Sequence, residues 1–345
     1  MKTMLSKRFP RTERWLKYRL APRALILMYH RVTELANDPH LLAVTPLHFA
    51  EHLEIIRQHT TPVNLQQLVE ALHRGKVPNR AVVITFDDGY ADNLHQAKPL
   101  LERFEIPATV FVTAGQVDSQ REFWWDELDR LLLQPVWLPD RLQLEIAGTA
   151  YVWESWQKGE YTQQDYQRDR SWHIERQDEP HPRHRLFRTL FERLQSAPVE
   201  ERQRVLESIR LWSGAEPIAR PTHRALSSDE VLLLAQDDLI EVGAHSMTHP
   251  NLAALDEAGQ RAEIRQSREC LEAMINRPVT SFAYPNGFTT QESAVLLREA
   301  RFTSACSSES DAVWRDADVF HMPRLGVRDW DQETFALWLK YWFDG

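Results

Sequence analysis

The sequence holds little that could staple the chain or carry it across a bilayer. Cys270 and Cys306 are the only two thiols in 345 residues, too few for a disulfide framework or a cysteine-based zinc motif. Cys270 lies in a helical pattern and Cys306 in a strand pattern, so both read as buried reduced thiols. No segment reaches the roughly 18 apolar residues that a membrane-crossing helix needs. The N-terminal stretch MKTMLSKRFPRTERWLKYRLAPR is basic from end to end and lacks the uninterrupted apolar core of a secretory signal. The expectation is a cytoplasmic protein whose arm, residues 1–23, is solvated or makes peripheral contact with an anionic membrane. Net positive charge is also missing: 41 Lys and Arg stand against 50 Asp and Glu, a formal charge of −9. That balance argues against a general nucleic-acid-binding surface. The glycine-rich dinucleotide fingerprint is absent, as are internal repeats and low-complexity tracts.

What is present is a rhythm. Short apolar runs recur: ALILMY (24–29), AVVITF (81–86), ATVFVT (108–113), LIEVGA (239–244), SFAY (281–284), TSAC (303–306) and RLGV (324–327). Most are rich in β-branched or aromatic residues and read as buried strands. Amphipathic helical patterns separate most of them, among them LHFAEHLEIIRQH, NLHQAKPLLERF, SSDEVLLLAQDD with Ser227 or Ser228 as N-cap, and a long helix over 256–276. Alternating strands and helices imply a mainly parallel sheet. Seven strands with outer helices suit an incomplete (β/α) barrel over 24–345, with a doubly wound open sheet as the alternative.

Residues 116–226 break this rhythm and read as a largely helical insertion with one small hairpin. Seven of the twelve tryptophans fall in it (124, 125, 137, 153, 156, 172 and 212). They could wall a cleft or make a satellite core.

In a parallel barrel, reactive groups gather at the C-terminal ends of strands. Here ALILMY runs into His30, AVVITF into Asp87 and Asp88, and LIEVGA into His245-Ser-Met-Thr-His249. Two histidines four apart face the same way on a helical turn or a tight loop, and Pro250 biases His249 away from continuing a helix. A bare HxxxH is a weak signal; its place after a buried strand raises the metal reading. With one carboxylate it makes a two-His, one-Asp set that zinc or another divalent transition metal accepts. Taken alone, DDG reads as an ordinary turn with solvated acids. Beside a cation, the economical division is one ligand and one base: Asp88 completes the set, and Asp87 takes the proton of a water whose pKa the metal has lowered. Gly89 allows a tight turn, after which the N–H of Tyr90 could point at a developing oxyanion. His30 is the candidate acid for the leaving group.

TFDDG (85–89), HSMTHP (245–250) and FAYPNG (282–287) resemble, in order and spacing, the successive motifs of the polysaccharide deacetylases, the NodB-type carbohydrate esterases. LILMYHRV (25–32) resembles the subgroup with its histidine motif at the start of the domain, to which biofilm poly-N-acetylglucosamine deacetylases belong. The resemblance covers 24–115 and 226–328. It implies a distorted (β/α)7 barrel and metal-dependent removal of acetyl groups from N-acetylated amino sugars of a polysaccharide or glycan precursor. It implies Asp87 as base, His30 as acid, and Asp88, His245 and His249 as ligands of a divalent metal, zinc first, with Co, Ni, Mn or Fe as alternatives. The expected partner is an acetylated carbohydrate, with no nucleic acid and no integral membrane segment.

The sequence departs from the family pattern twice. The arginine that precedes the third motif in many members is missing from VTSFAYP, and Arg277 stands too early. Arg324 could replace it as the charge partner of Asp87, or be a sheet-edge arginine. The late histidine motif is missing as well: His321 precedes the last strand. Two other functions stay open, a related hydrolase of a non-sugar or O-acetylated substrate and a non-catalytic carbohydrate-binding protein.

Overall fold

The computed structural model describes residues 23–134, 137–154 and 161–344. The basic arm before Arg23 and Trp156 lie outside the described residues. Seven parallel strands form the sheet: β1 (Arg23–Tyr29), β2 (Ala81–Phe86), β3 (Ala108–Val112), β4 (Ile240–Ala244), β5 (Ser281–Ala283), β6 (Ser304–Cys306) and β7 (Leu325–Gly326). Their spatial order is β6-β5-β4-β3-β2-β1-β7, and the sheet curls into a distorted, incomplete barrel. Two short strands extend it, Thr61–Pro62 beside β2 and Val313–Trp314 antiparallel to β1. Among the described residues the gap between β7 and β6 is crossed by one isolated bridge, Cys306 to Met322.

Helices follow the strands: α1 (Pro46–His59), α2 (Leu65–His73), α3 (Lys98–Phe104), α4 (Trp124–Leu132), α5 (Gln163–Asp169), α6 (Pro182–Gln195), α7 (Val199–Ser213), α8 (Ser228–Leu234), α9 (Glu257–Ile275), α10 (Gln291–Glu299) and α11 (Gln332–Asp344). Their starts are written locally. Thr45 caps α1 with Pro46 behind it, and Ser227 forms a capping box with Glu230 at α8. The pattern NLHQAKPLLERF divides into a π-helical turn over Asn93–Ala97 followed by α3, a distinction its apolar spacing does not carry. None of the described helices is long and apolar enough to cross a membrane.

Strand alternation separates two faces. Leu25, Leu27, Tyr29, Val82, Ile84 and Phe86 pack in one large cluster with the outer helices. Ala24, Ile26, Val83 and Phe111 pack in another with Leu65 and Leu68 of α2. Residues after β3 build a third cluster of their own. Leu128 and Leu132 of α4, Leu142 and Leu144 of a hairpin (Arg141–Ile146 with Thr149–Glu154), Leu186 and Phe187 of α6, and Leu206 and Ile209 of α7 belong to it, as does Trp172.

Candidate active site

Hydrogen bonds beyond the ladders tie the C-terminal strand ends together. Asp87 N–H donates to the Tyr29 carbonyl at the end of β1 (3.0 Å), Thr113 N–H to the Asp88 carbonyl (3.1 Å), and His245 N–H to the Val112 carbonyl (2.9 Å). Ala114 and Gly115 then bind the carbonyls of Ser246 and Met247. Gly115 has to be glycine for this approach: a Cβ there would sit 2.5 Å from the Met247 carbonyl oxygen. These bonds bring Asp87, Asp88, His245 and His249, from β2 and β4, to one mouth of the barrel.

Asp88, His245 and His249 are all buried, and one ligand atom from each lies within 4.8 Å of the others. Asp88 Oδ1 stands 3.6 Å from His245 Nε2 and 3.5 Å from His249 Nε2. These are too long for good hydrogen bonds. Asp88 Oδ1 has no hydrogen-bond partner although it is buried. His245 Nδ1 meets the Ala283 carbonyl at 2.8 Å, which turns Nε2 to the centre. Burial pushes Asp88 upward, neighbouring Asp87 and Asp126 add to it, and burial likewise lowers both histidines. An orphaned carboxylate oxygen facing two neutral imidazoles fits a divalent transition metal. Asp88 itself has φ 73°, a left-handed conformation that Gly89 continues at 82°; strain of this kind gathers at functional sites.

The imidazoles converge by a different route from a helical turn. Residues 245–249 form a loop with no helix, and Ser246 (φ 63°) and His249 (φ 53°) are both left-handed. The rings meet edge to face at 4.9 Å.

Asp87 is held quite differently. Arg324 grips it with two parallel bonds, Nη1 to Oδ1 at 2.6 Å and Nη2 to Oδ2 at 2.7 Å, and both side chains are buried. Burial alone would raise the Asp87 carboxyl, but the attraction of Arg324 outweighs it, aided by His245 and the Arg324 hydrogen bonds, and holds the group well below the usual carboxylate range. The guanidinium reaches this point through the barrel, bonding Thr85 Oγ1 (3.2 Å) and the Ser307 carbonyl (2.9 Å). Arg324 precedes β7, so strand-end reasoning does not select it; its reach does. Arg277 is exposed and pairs loosely with Asp238, 3.5 Å away.

His30 is half-buried and lines the same cleft as Asp87, Asp88, His245, His249 and Arg324. Burial lowers its pKa to about 4 against the pull of Asp87, so it is neutral at neutral pH. His321 is absent from the lining and lies near Glu309.

Tyr90 divides into a side chain and a backbone. Its hydroxyl donates to Asp126 Oδ2 (2.6 Å) and accepts from Trp125 Nε1 (2.9 Å). Its N–H has no acceptor among the described residues, although the residue is fully buried. A buried N–H without a partner is rare. Tyr90→Phe would orphan both Asp126 and Trp125, and should cost about 1–3 kcal/mol of stability in urea unfolding. Turnover should change only a few-fold, because the N–H remains; a large drop in kcat with intact stability would place the function in the hydroxyl.

The cleft, about 250 Å³, has an aromatic wall. Trp124, Trp125, Ile174 and Phe191 line it from the segment after β3, with His40, Leu42, Tyr284, Asn286 and Ser308 around them. Trp124 stacks on Phe191 (5.1 Å), and Phe191 meets His40 (4.6 Å). Pro285 is buried and not part of the lining. The sequence signalled the tryptophans by their density; nothing in its spacing pointed to His40, Ile174 or Phe191.

The sequence model of the polysaccharide deacetylase family matches residues 74–138 and 213–305. It thus includes α4 and leaves 139–212 unmatched. A poly-β-1,6-N-acetyl-D-glucosamine N-deacetylase of Escherichia coli K12 is 33% identical over 95 residues, 27% of this chain and 14% of that protein. The enzyme of the same name from Staphylococcus epidermidis is 31% identical over 111 residues, 28% of this chain and 38% of its own length. The chain thus spans well under half of these curated relatives. Among solved structures, the Streptococcus pyogenes deacetylase PplD, in complex with acetate, superposes with a TM-score of 0.57 at 14% identity, covering 92% of this chain and 98% of that one. At such identity the likeness speaks for the fold. The profile of the polysaccharide deacetylase family thus lies on both sides of residues 139–212, over the Asp-Asp turn and the two-histidine loop described above.

Proposed function

We propose that the chain is a metal-dependent hydrolase that removes acetyl groups from N-acetylated amino sugars of a polysaccharide or glycan precursor. The observation that carries this reading is the unequal treatment of two adjacent acids. Asp87 has each oxygen bonded once by Arg324, with acceptor capacity left over, whereas Asp88 leaves one oxygen bare before two imidazoles. One is held as a proton acceptor and the other as a ligand.

Asp88, His245 and His249 would hold the metal, with zinc the first candidate. When bound, it supplies a lowered water pKa and polarisation of the acetyl carbonyl. Asp87, ionised and fixed in orientation, accepts the proton of the attacking water. The free N–H of Tyr90 is available to the oxygen that gains charge as the carbonyl carbon becomes tetrahedral. His30 begins neutral, so it donates to the departing amine only after taking a proton from solvent, when negative charge in the intermediate favours its imidazolium, and Asp87 gives the water's proton back to solvent as acetate leaves. The products are acetate and a free amine. Trp124, Trp125 and Tyr284 give the sugar apolar faces to lie against. The names of the curated relatives support a β-1,6-linked N-acetylglucosamine polymer as the first substrate to try.

Acetate release from oligomers of that polymer, with zinc and then with a chelator, tests the reading. Release that persists at full rate in chelator, with zinc absent from the protein, would overturn it. Release from O-acetylated but not N-acetylated sugars would move it to the esterase alternative.

Arg324→Met gives a second check through pH. The Asp87 base must be ionised, so kcat/KM rises with pH through its pKa. With Arg324 in place that limb lies far below pH 5. Without it, burial dominates and moves the limb up into the measurable range. A kcat loss of about 10²-fold should accompany the shift, as the base loses its fixed orientation. An unchanged acid limb would separate Arg324 from the base.

A further inference from the structure

The loop carrying His245 and His249 is strained at two side-chain-bearing residues, Ser246 and His249, and His249 also precedes Pro250, a position that favours extended backbone. Such a conformation persists only where neighbours hold it. Two neighbours of opposite charge do so. Glu263, on α9, accepts the N–H groups of Met247 (2.8 Å) and Thr248 (2.9 Å) and the Thr248 hydroxyl (2.7 Å). Arg202, on α7, donates from Nη1 and Nη2 to the His249 carbonyl, each at 3.2 Å.

Arg202 is out of the ordinary for a surface-helix arginine. It is buried, and its guanidinium lies over the Trp124 ring at 5.5 Å. Among the described residues the His249 carbonyl is its hydrogen-bond acceptor, it makes no ion pair, and its Nε is unpartnered. A buried cation with no carboxylate in direct contact is a cost to the fold, which the attraction of Glu263 and Glu200 only partly offsets. The Trp124 ring and the His249 carbonyl are the contacts that account for its place there, and the His249 ring is also met edge-on by Trp125 at 4.9 Å. Arg202 stands within residues 139–212, which the family profile leaves unmatched.

We propose that Arg202 is a positioning residue of the metal centre. By clamping the His249 carbonyl it holds that residue left-handed, so that Nε2 faces Asp88 and His245. The segment 139–212 is thereby part of the machinery as well as a wall of the cleft. The inference rests on the reading of Asp88, His245 and His249 as metal ligands.

The test is zinc affinity, measured by competition with a chromophoric chelator, for the full chain and for Arg202→Met, Arg202→Lys and the double variant His245→Ala/His249→Ala. Near-ultraviolet circular dichroism and thermal melting of the metal-free proteins report on the fold. Arg202→Met should bind zinc about tenfold or more weakly, the usual size of an outer-shell effect, with its metal-free melting temperature kept. Arg202→Lys, which can replace one of the two donors, should fall between. A merely structural role would lower the melting temperature and leave the zinc affinity of the folded protein within twofold, and that result overturns the proposal. If Arg202→Met is not recovered folded, Arg202→Lys is judged by the same twofold limit. If the unaltered chain binds zinc no better than the double histidine variant, the ligand reading itself fails and the clamp with it. If only the histidine variant loses zinc, the clamp alone falls.

Discussion

Asp87→Asn should lower kcat/KM for acetate release by about 10²–10⁴-fold, the range for losing a general base, while the protein still binds zinc. The expectation follows from geometry. Both Asp87 oxygens are taken by Arg324, and it is Asp88 whose oxygen faces the imidazoles. The same change has a second, independent consequence. It leaves the Arg324 guanidinium buried without its counter-charge, and breaking such a pair costs about 3–5 kcal/mol. Thr85 Oγ1 and the Ser307 carbonyl remain as acceptors, which places the loss at the lower end. Inactivity with zinc retained and a lowered melting temperature is the expected pattern, read by metal analysis, kinetics and calorimetry on one preparation. Zinc loss from Asp87→Asn would reverse the division between the two acids.

The pair also sets a pH window. The folded pKa of Asp87 lies below its unfolded value, so its contribution to stability is full above the unfolded carboxylate range. That contribution is lost as pH falls from about 4 toward the lower folded value. Arg324→Met should remove this acid-side dependence.

Much of the candidate site was legible because it sits where a strand stops. AVVITF marks a buried strand by composition, and the residues just past the end of a buried parallel strand face the barrel mouth; Asp87, Asp88, His245 and His249 were all reachable this way. His30 was reachable for the same reason. Arg324 was reachable only as an alternative, because it stands before its strand and acts through the length of its side chain. Arg202 and Glu263 were not legible. Each acts on backbone atoms of the two-histidine loop, and a carbonyl or N–H leaves no residue-type signature in the sequence. The π-turn at Asn93–Ala97 was missed for a related reason: one extra residue in a helical turn barely alters the apolar spacing. The strand pattern gave the barrel and its order of elements. The way residues after β3 build a separate core depended on long-range pairing of α4, α6 and α7, which periodicity does not encode.

Asp88→Asn should act in the opposite direction from its neighbour. In the metal-free protein Asp88 is a cost: it is buried, beside Asp87, with Oδ1 unpartnered. An amide of the same shape carries no charge, so the metal-free variant should melt at or above the unaltered chain, the familiar exchange of stability for function at a site. Zinc should reverse the order. A cation among Asp88, His245 and His249 binds the folded state alone, and at a free concentration of about 100 Kd it adds about 2.7 kcal/mol. That increment should vanish in His245→Ala/His249→Ala and shrink greatly in Asp88→Asn. Burial pushes Asp88 up and both imidazoles down, so it is chiefly at Asp88 that a proton competes with zinc as pH falls, and zinc stabilisation should strengthen as pH rises. Calorimetry with and without zinc on the three proteins decides it. If zinc stabilises Asp88→Asn as much as the unaltered chain, the carboxylate is no ligand. Two neighbouring acids whose removal shifts metal-free stability in opposite directions would be the thermodynamic mark of one held as a base and one kept for a cation.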